Sequence, residues 1–141
     1  MLQNERLCGK TSGGYDSGMG LTHVNARIAN PARPSRTVSV QLLVDSGAVY
    51  SVVPGSILRR LGIRPHSSRT FILADGTSIT RRVGDATFLL DGYRAASPVF
   101  FGEKDDSALL GTVSLESLGL ILDPMKRVLR PLPMVLGSLK Q

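Results

Sequence analysis

The chain has 141 residues, a length that suits a single domain rather than two. Hydrophobic residues make up 42% of it, which is too high for an intrinsically disordered protein. The net charge of +6 would suit a nucleic-acid partner, but the basic residues never form a run of five and only 5% of residues are aromatic. Few rings are therefore available to stack on bases, and a basic nucleic-acid-binding barrel is the disfavoured alternative.

The sequence carries no signature of secretion, membrane insertion or metal binding. Cys8 is the only cysteine, so no intrachain disulfide can form. The first residues lack the apolar segment of a signal peptide, and the longest uncharged stretch, residues 46–58, is shorter than the roughly 20 residues that span a membrane. His23 and His66 are the only histidines, too few for a zinc site. We therefore expect a cytoplasmic protein that needs no metal or cofactor and does not bind a membrane.

The two ends of the chain differ in composition from its middle. Residues 1–20 contain five glycines and no apolar periodicity, which predicts a flexible N-terminal tail. This tail is either a processed leader or the product of an upstream start codon. The predicted domain covers residues 21–136, and residues 137–141 form a short C-terminal tail.

Apolar residues at every second position predict the first strands. Val24, Ala26 and Ile28 share one face while polar residues alternate with them, the pattern of a half-buried strand. A second strand is predicted over 37–44 and a short third strand over 50–53. A helix over 57–61 follows, and Gly62 is typical of a helix end.

Two Asp-Gly pairs predict tight hairpin turns of the primed type, at Asp75-Gly76 and Asp91-Gly92. The flanking strands are predicted over 69–73 and 77–80, and over 87–90 and 93–95. The remaining predicted elements are strands at 99–101, 108–111, 120–122 and 128–136, and a helix at 113–118. Many short strands with only two brief helices predict an all-β domain built as a closed barrel.

Asp45 is the candidate functional residue. It ends an apolar strand, where burying a carboxylate costs several kcal/mol unless the group is hydrogen-bonded or takes part in function. Gly47 lets the backbone turn so that an amide approaches the carboxylate. Ser46 adds a hydroxyl that is expected to bond to a neighbouring strand. The Asp-Ser-Gly tripeptide alone is weak evidence for a functional site, because Asp16-Ser17-Gly18 repeats it without a preceding strand.

The context of Asp45 resembles the retropepsin-like (clan AA) aspartic proteases, and most closely their small bacterial members. The resemblance covers about residues 20–135 and includes three segments in the same order and spacing. These are residues 42–48 (Leu-Leu-Val-Asp-Ser-Gly-Ala), 74–77 (Ala-Asp-Gly-Thr) and 109–119 (Leu-Leu-Gly-Thr-Val-Ser-Leu-Glu-Ser-Leu-Gly).

The resemblance implies the acid protease fold, a retropepsin-like barrel with one lobe per chain, and a role for each matching residue. Asp45 would be the catalytic carboxylate, with Ser46, Gly47 and Ala48 completing its loop. Ala74, Asp75, Gly76 and Thr77 would form the tip of a flap over the substrate. Leu109, Leu110 and Gly111 would support the site from behind.

The sequence departs from the viral pattern at three places. Ser46 replaces the commoner threonine, an accepted variant. Val49 and Tyr50 stand where viral enzymes often have acidic residues that hold the substrate main chain. Thr112 stands where they often have an arginine that braces the dimer. These differences leave the substrate contacts open.

The resemblance implies an aspartic endopeptidase that works as a homodimer, because the chemistry needs two aspartates around one water. Only Asp45 lies in a sequence context that matches the family's catalytic segment, so a second copy of the chain would supply the other carboxylate. The segment 128–136 is expected to contribute to the dimer contact in place of the missing arginine. The alternative is a protease-like dimeric module that binds peptides without cutting them.

Overall fold

Strands form most of the structure, as the short alternating segments predict. The structure is a computed structural model that describes residues 22–133; both predicted tails, 1–20 and 137–141, lie outside the described residues, as do positions 21 and 134–136. The strands are β1 (Thr22–Asn30), β2 (Arg33–Val44), β3 (Ser51–Pro54), β4 (Ser67–Ile72), β5 (Ser78–Leu90), β6 (Tyr93–Gly102), β7 (Leu109–Leu110), β8 (Leu120–Asp123) and β9 (Val128–Pro131). The helices are α1 (Gly55–Arg60) and α2 (Thr112–Leu118).

The first two strands confirm the alternation in the sequence. Val24, Ala26 and Ile28 are buried, whereas the residues between them are exposed. β1 and β2 pair antiparallel, with Val24 opposite Leu42 and Ala26 opposite Val40. Directly opposed residues of an antiparallel pair share a face, so both strands turn their apolar faces to the same core.

The second Asp-Gly hairpin forms as predicted, and the first forms with a different turn. Asp91 and Gly92 both have positive φ, at 51° and 83°, which is the primed two-residue turn. In the first hairpin only Gly76 has positive φ, and its N–H donates to the Leu73 carbonyl at 2.9 Å. The prediction of a primed turn at Asp75-Gly76 is therefore wrong, and the hairpin has a longer loop that ends at a left-handed glycine.

The strands predicted separately at 77–80 and 87–90 are the two ends of one 13-residue strand, β5. Its first half pairs with β4 and its second half with β6. The charged residues at its centre hid its continuity, because they break the alternation that marks a strand in the sequence. β5 thus joins the predicted flap directly to the core.

The strands close into a ring. The order around it is β1-β2-β7-β3-β6-β5, and β5 pairs back onto β1 at residues 27–29. β4 extends the sheet beyond β5, and β8 and β9 form a separate two-stranded sheet. This ring is compatible with the expected closed barrel, and the mostly-β class is confirmed.

Both helices cover the core with apolar residues. α1 buries Leu58, and α2 buries Leu115 and Leu118, as the predicted helices require. α2 packs mainly against β6 and ends at Gly119, whose φ of 76° is the left-handed helix end that glycine favours. Neither helix in the described part of the chain has the length and apolar character to cross a membrane.

Candidate active site

Asp45 is the first residue after β2, in the loop that leads to β3. Its N–H donates to the Leu110 carbonyl of β7 at 3.1 Å, so the sheet holds its backbone. One carboxylate oxygen, Oδ1, accepts the Gly47 N–H at 2.9 Å, and the Ala48 N–H closes the turn by donating to the Asp45 carbonyl. The residue as a whole is half-buried, and its other carboxylate oxygen makes no hydrogen bond within the described residues.

The other two loop residues that the sequence singles out have different surroundings. A Cβ at Gly47 would lie 3.2 Å from Oδ1 of Asp45, tighter than most such contacts, so glycine allows the amide to approach the carboxylate. Ser46 is exposed. Within the described residues its hydroxyl makes no hydrogen bond, so the expected bond to a neighbouring strand is not formed in the single chain.

Gly111 lies directly against the backbone of the loop that follows Asp45. A Cβ at this position would lie 2.6 Å from the carbonyl carbon of Tyr50 and 2.8 Å from the Val49 oxygen, so only glycine allows this approach. Directly after it, the N–H groups of Thr112 and Val113 donate to the carbonyls of Ala48 and Val49 at 2.9 and 3.0 Å. The unpaired amides of the first turn of α2 are thus satisfied by the Asp45 loop.

Three buried serines connect this support to the rest of the fold. The Gly111 N–H donates to the Ser51 Oγ at 3.0 Å, and the Ser51 and Ser114 hydroxyls are 2.6 Å apart. Ser97 lies 2.7 Å from Ser114 and donates to the Pro98 carbonyl. Since each hydroxyl has one proton, the chain of bonds runs one way, from Gly111 through Ser51, Ser114 and Ser97.

Sequence reasoning missed this serine chain. Its members come from β3, β6 and α2, which are far apart in the sequence. The available signal was weak: each serine interrupts an apolar segment at a position that should face inward. A buried hydroxyl needs a partner, and only the folded chain shows that the three serines are partners of one another.

The flap residues Ala74, Asp75, Gly76 and Thr77 form the exposed end of the β4–β5 hairpin. The Thr77 hydroxyl and N–H both donate to Oδ1 of Asp75, at 2.7 and 3.0 Å. These bonds, the hydroxyl first, lower the pKa of Asp75 below its ordinary value. Asp75 is therefore a turn-forming residue. Beside the turn, the large apolar side chain of Ile72 is 74% exposed.

The base of this hairpin contacts the Asp45 loop through aromatic residues that the sequence did not predict to be near each other. Tyr50 stacks on Phe100, with ring centroids 5.1 Å apart, and Phe71 of β4 packs on the same ring at 4.6 Å. Arg69 of β4 donates to the Tyr50 hydroxyl at 2.9 Å. We refer to Tyr50, Arg69, Phe71 and Phe100 as the Tyr50 cluster.

Other charged groups lie away from this site. His66 is paired with Asp85 at 3.4 Å, and both side chains are at least half exposed. Among residues 22–133 no three or more His, Cys, Asp or Glu side chains are placed to hold a metal ion. Asp123, the last residue of β8, also accepts backbone N–H groups, from Met125 and Lys126, so Asp45 is distinguished by its sequence context, an Asp-Ser-Gly directly after an apolar strand.

Comparison with known proteins gives one family and one structural likeness. The sequence model of a family described as aspartyl protease matches residues 24–112, which is more than half of the chain and includes Asp45, residues 74–77 and Gly111. No curated protein matches the sequence significantly. Among solved structures, the chain is similar to the solution structure of the Simian Foamy Virus (mac) protease, with a TM-score of 0.49 and 21% identity over 67% of this chain and 92% of that chain.

Proposed function

This chain belongs to the aspartyl protease family, and on that basis we propose that it is an aspartic endopeptidase, active as a homodimer, with Asp45 as its catalytic carboxylate. The observation that carries the proposal is the local geometry of Asp45. Its backbone is held by β7, one carboxylate oxygen accepts the Gly47 amide, and the residue as a whole is half-buried. This arrangement holds an acid in one orientation and leaves an oxygen accessible, as general acid–base catalysis requires.

A second copy of the chain supplies the second carboxylate in this proposal. Two carboxylates about 3 Å apart repel by about 5 kcal/mol at an effective dielectric constant near 20. They therefore share one proton over a wide pH range, and the two pKa values belong to the pair. A single proton between two acids gives the site one base and one acid at the same time.

The reaction then proceeds without an acyl-enzyme. The ionised carboxylate removes a proton from a water whose oxygen attacks the peptide carbonyl carbon, while the protonated carboxyl gives its proton to the carbonyl oxygen. The tetrahedral gem-diol intermediate collapses as one of its hydroxyls gives its proton to the ionised carboxylate, the C–N bond breaks, and the leaving nitrogen receives the proton of the protonated carboxyl. The products are a carboxylic acid and an amine, and the dyad regains its single proton.

The β4–β5 hairpin is the proposed flap. It carries exposed apolar side chains, Ile72 and Leu73, next to its turn, and its base is anchored beside the Asp45 loop by the Tyr50 cluster. Such a hairpin can close over a bound peptide and exclude water from the dyad. The left-handed Gly76, at φ 88°, keeps its turn tight.

The β8–β9 sheet is the proposed dimer contact. It is a sheet separate from the ring and exposes apolar side chains, with Ile121 of β8 at 42% and Met125 of its turn at 89%. Its β9 strand is part of the segment 128–136 that the sequence suggests for this role. Apolar surface of this kind favours burial against a second copy.

The test is peptide hydrolysis by the wild type and by Asp45→Asn, with Asp105→Asn as the control. Asp105 is an exposed acid, so its substitution removes the same charge far from the dyad. We expect Asp45→Asn to fold normally by circular dichroism and to lose at least about a hundredfold in kcat/KM, the scale of a lost general base. Asp105→Asn should keep wild-type rates.

Two results would overturn the proposal. If the Asp45→Asn protein cleaves peptides at the wild-type rate, Asp45 is not the catalytic carboxylate. A wild type that binds a transition-state-like aspartic protease inhibitor but cuts no peptide in a library identifies the chain as the peptide-binding module instead.

A further inference from the structure

Arg69 lies on the inner face of the flap hairpin. In the β4–β5 register Arg69 is opposite Arg81, and Ser67 is opposite the buried Val83. Opposed residues share a face, so Arg69 is on the side of the hairpin that packs on the domain. The neighbouring Arg82 points the other way, and both Arg69 and Arg82 are exposed.

Tyr50 holds the Arg69 guanidinium in place. The Nη1 of Arg69 donates to the Tyr50 hydroxyl at 2.9 Å, and the guanidinium carbon is 5.4 Å from the centroid of the Tyr50 ring. That ring is itself stacked on Phe100, and its backbone contacts Gly111 closely. Because Tyr50 follows Asp45 by only five residues, the positive charge is held where the flap base meets the active-site loop.

The charge of Arg69 has no acidic partner, in contrast to that of Arg81. Arg81 donates to both carboxylate oxygens of Asp106, at 2.7 and 2.9 Å, and lies 3.6 Å from Glu103. Across residues 22–133 no carboxylate is within salt-bridge distance of Arg69, whose hydrogen-bond partner is a neutral phenol. A guanidinium has five N–H donors, so several remain for a planar anion.

We infer that Arg69 binds an acidic side chain of the peptide substrate, making Asp or Glu preferred at a position beside the scissile bond. The inference rests on the proposed peptidase function and names its substrate class. A carboxylate accepts two parallel N–H bonds from a guanidinium, a pairing that a neutral amide cannot match. In a homodimer the twofold axis repeats Arg69, so the preference appears on both sides of the cut.

Tyr50 is the positioning residue in this scheme. Tyr50→Phe keeps the stacked ring and removes only the hydroxyl that accepts from Arg69. The guanidinium then loses one fixed contact, so kcat/KM should fall more for acidic peptides than for peptides without an acidic residue, and the acidic preference should weaken. A purely structural role for the hydroxyl would change both classes of peptide alike.

The experiment compares peptide pairs that differ only by Glu or Gln at each position flanking the cleavage site. It is run near pH 6, roughly where a free glutamate is ionised. We expect the wild type to favour Glu by about tenfold in kcat/KM at one position on each side of the cut, the scale of a charge-assisted hydrogen bond. Arg69→Gln should bring the ratio close to one, and added salt should reduce the wild-type ratio.

Arg82→Gln is the matched control, because it removes the same charge from the outer face of the same hairpin and should keep the preference. Equal cleavage of Glu and Gln peptides by the wild type, or a preference that survives Arg69→Gln, overturns this inference and leaves the peptidase proposal standing. If Arg82→Gln loses the preference for Glu as fully as Arg69→Gln does, the preference is a general effect of positive charge, and the inference about Arg69 is also overturned. A wild type that cuts neither peptide class overturns the proposed function and this inference with it.

Discussion

Gly111 is the position at which the backbone of the Asp45 loop comes closest to its support. An added Cβ would lie 2.6 Å from the Tyr50 carbonyl carbon, a backbone atom that cannot rotate away. The same glycine donates its N–H to Ser51. A larger residue would therefore move the loop, and with it the Asp45 carboxylate.

We expect Gly111→Ala to lower the free energy of unfolding by about 2 kcal/mol or more, since overpacking against backbone forces the chain to shift. Urea unfolding followed by circular dichroism measures it. Gly76→Ala is the comparison: a Cβ there meets nothing within 4 Å, although φ is 88°, so only backbone strain of about 1 kcal/mol applies. The close approach is refuted if Gly111→Ala is as mild as Gly76→Ala.

At the residue scale the sequence predicts the frame of the candidate site but not its supporting contacts. Asp45, Gly47 and Gly111 could be singled out because each combines a distinctive residue type with the end of an apolar strand. The serine chain and the Tyr50–Arg69 bond could not, because both depend on pairs that meet only after β3, β4, β6 and α2 are assembled. Side chains far apart in sequence leave no periodic signal.

At the scale of the elements, an ion pair ties β5 to the loop after β6. Arg81 donates to both oxygens of Asp106, and the two side chains are only 15% and 22% exposed. The hydrogen bond from Arg81 is the largest cause that holds the pKa of Asp106 below its ordinary value. A carboxyl with a lowered pKa in the folded state stabilises the fold above its unfolded pKa, near 4, and this contribution is lost as the pH falls through the folded pKa.

Asp106→Asn should therefore lower the free energy of unfolding by about 1 to 2 kcal/mol at neutral pH. The gap from the wild type should narrow as the pH falls below about 4, where the carboxyl of the unfolded chain becomes protonated, and close below the lowered pKa of the folded carboxyl. Urea unfolding over a pH series measures the gap, with the exposed Asp105→Asn as the control. A gap that stays constant at all pH values would mean that the Arg81 pair does not stabilise the fold.

Element boundaries show what alternation can predict. β1 and the end of β2 agree with the predicted strands because their apolar residues occupy every second position, but β2 begins at Arg33, before the predicted start at residue 37, in a stretch without apolar alternation. β5 was predicted as two strands because Arg81, Arg82 and Asp85 interrupt that pattern, although its pairing with β4 and β6 needs no apolar residues. The flap turn also differs from its prediction, since an Asp-Gly pair fits both a two-residue loop and a longer loop that ends in a left-handed glycine.

At the scale of the whole molecule, the ring of strands presents one Asp45 loop, while the proposed chemistry requires two. The chain belongs to the aspartyl protease family and, in its described residues, has one acid in an Asp-Ser-Gly segment directly after an apolar strand. A twofold partner completes the site in the simplest way, because the same loop is then used twice. Activity should thus depend on the pairing of intact subunits.

Subunit mixing measures this dependence. Wild type and Asp45→Asn are combined at constant total concentration, allowed to exchange subunits, and assayed on one peptide. If both copies of Asp45 are needed, activity follows the square of the wild-type fraction, so an equal mixture retains about a quarter of the wild-type rate. Activity proportional to the wild-type fraction, about half in the equal mixture, would show that each chain works alone and would contradict a dyad shared between two subunits.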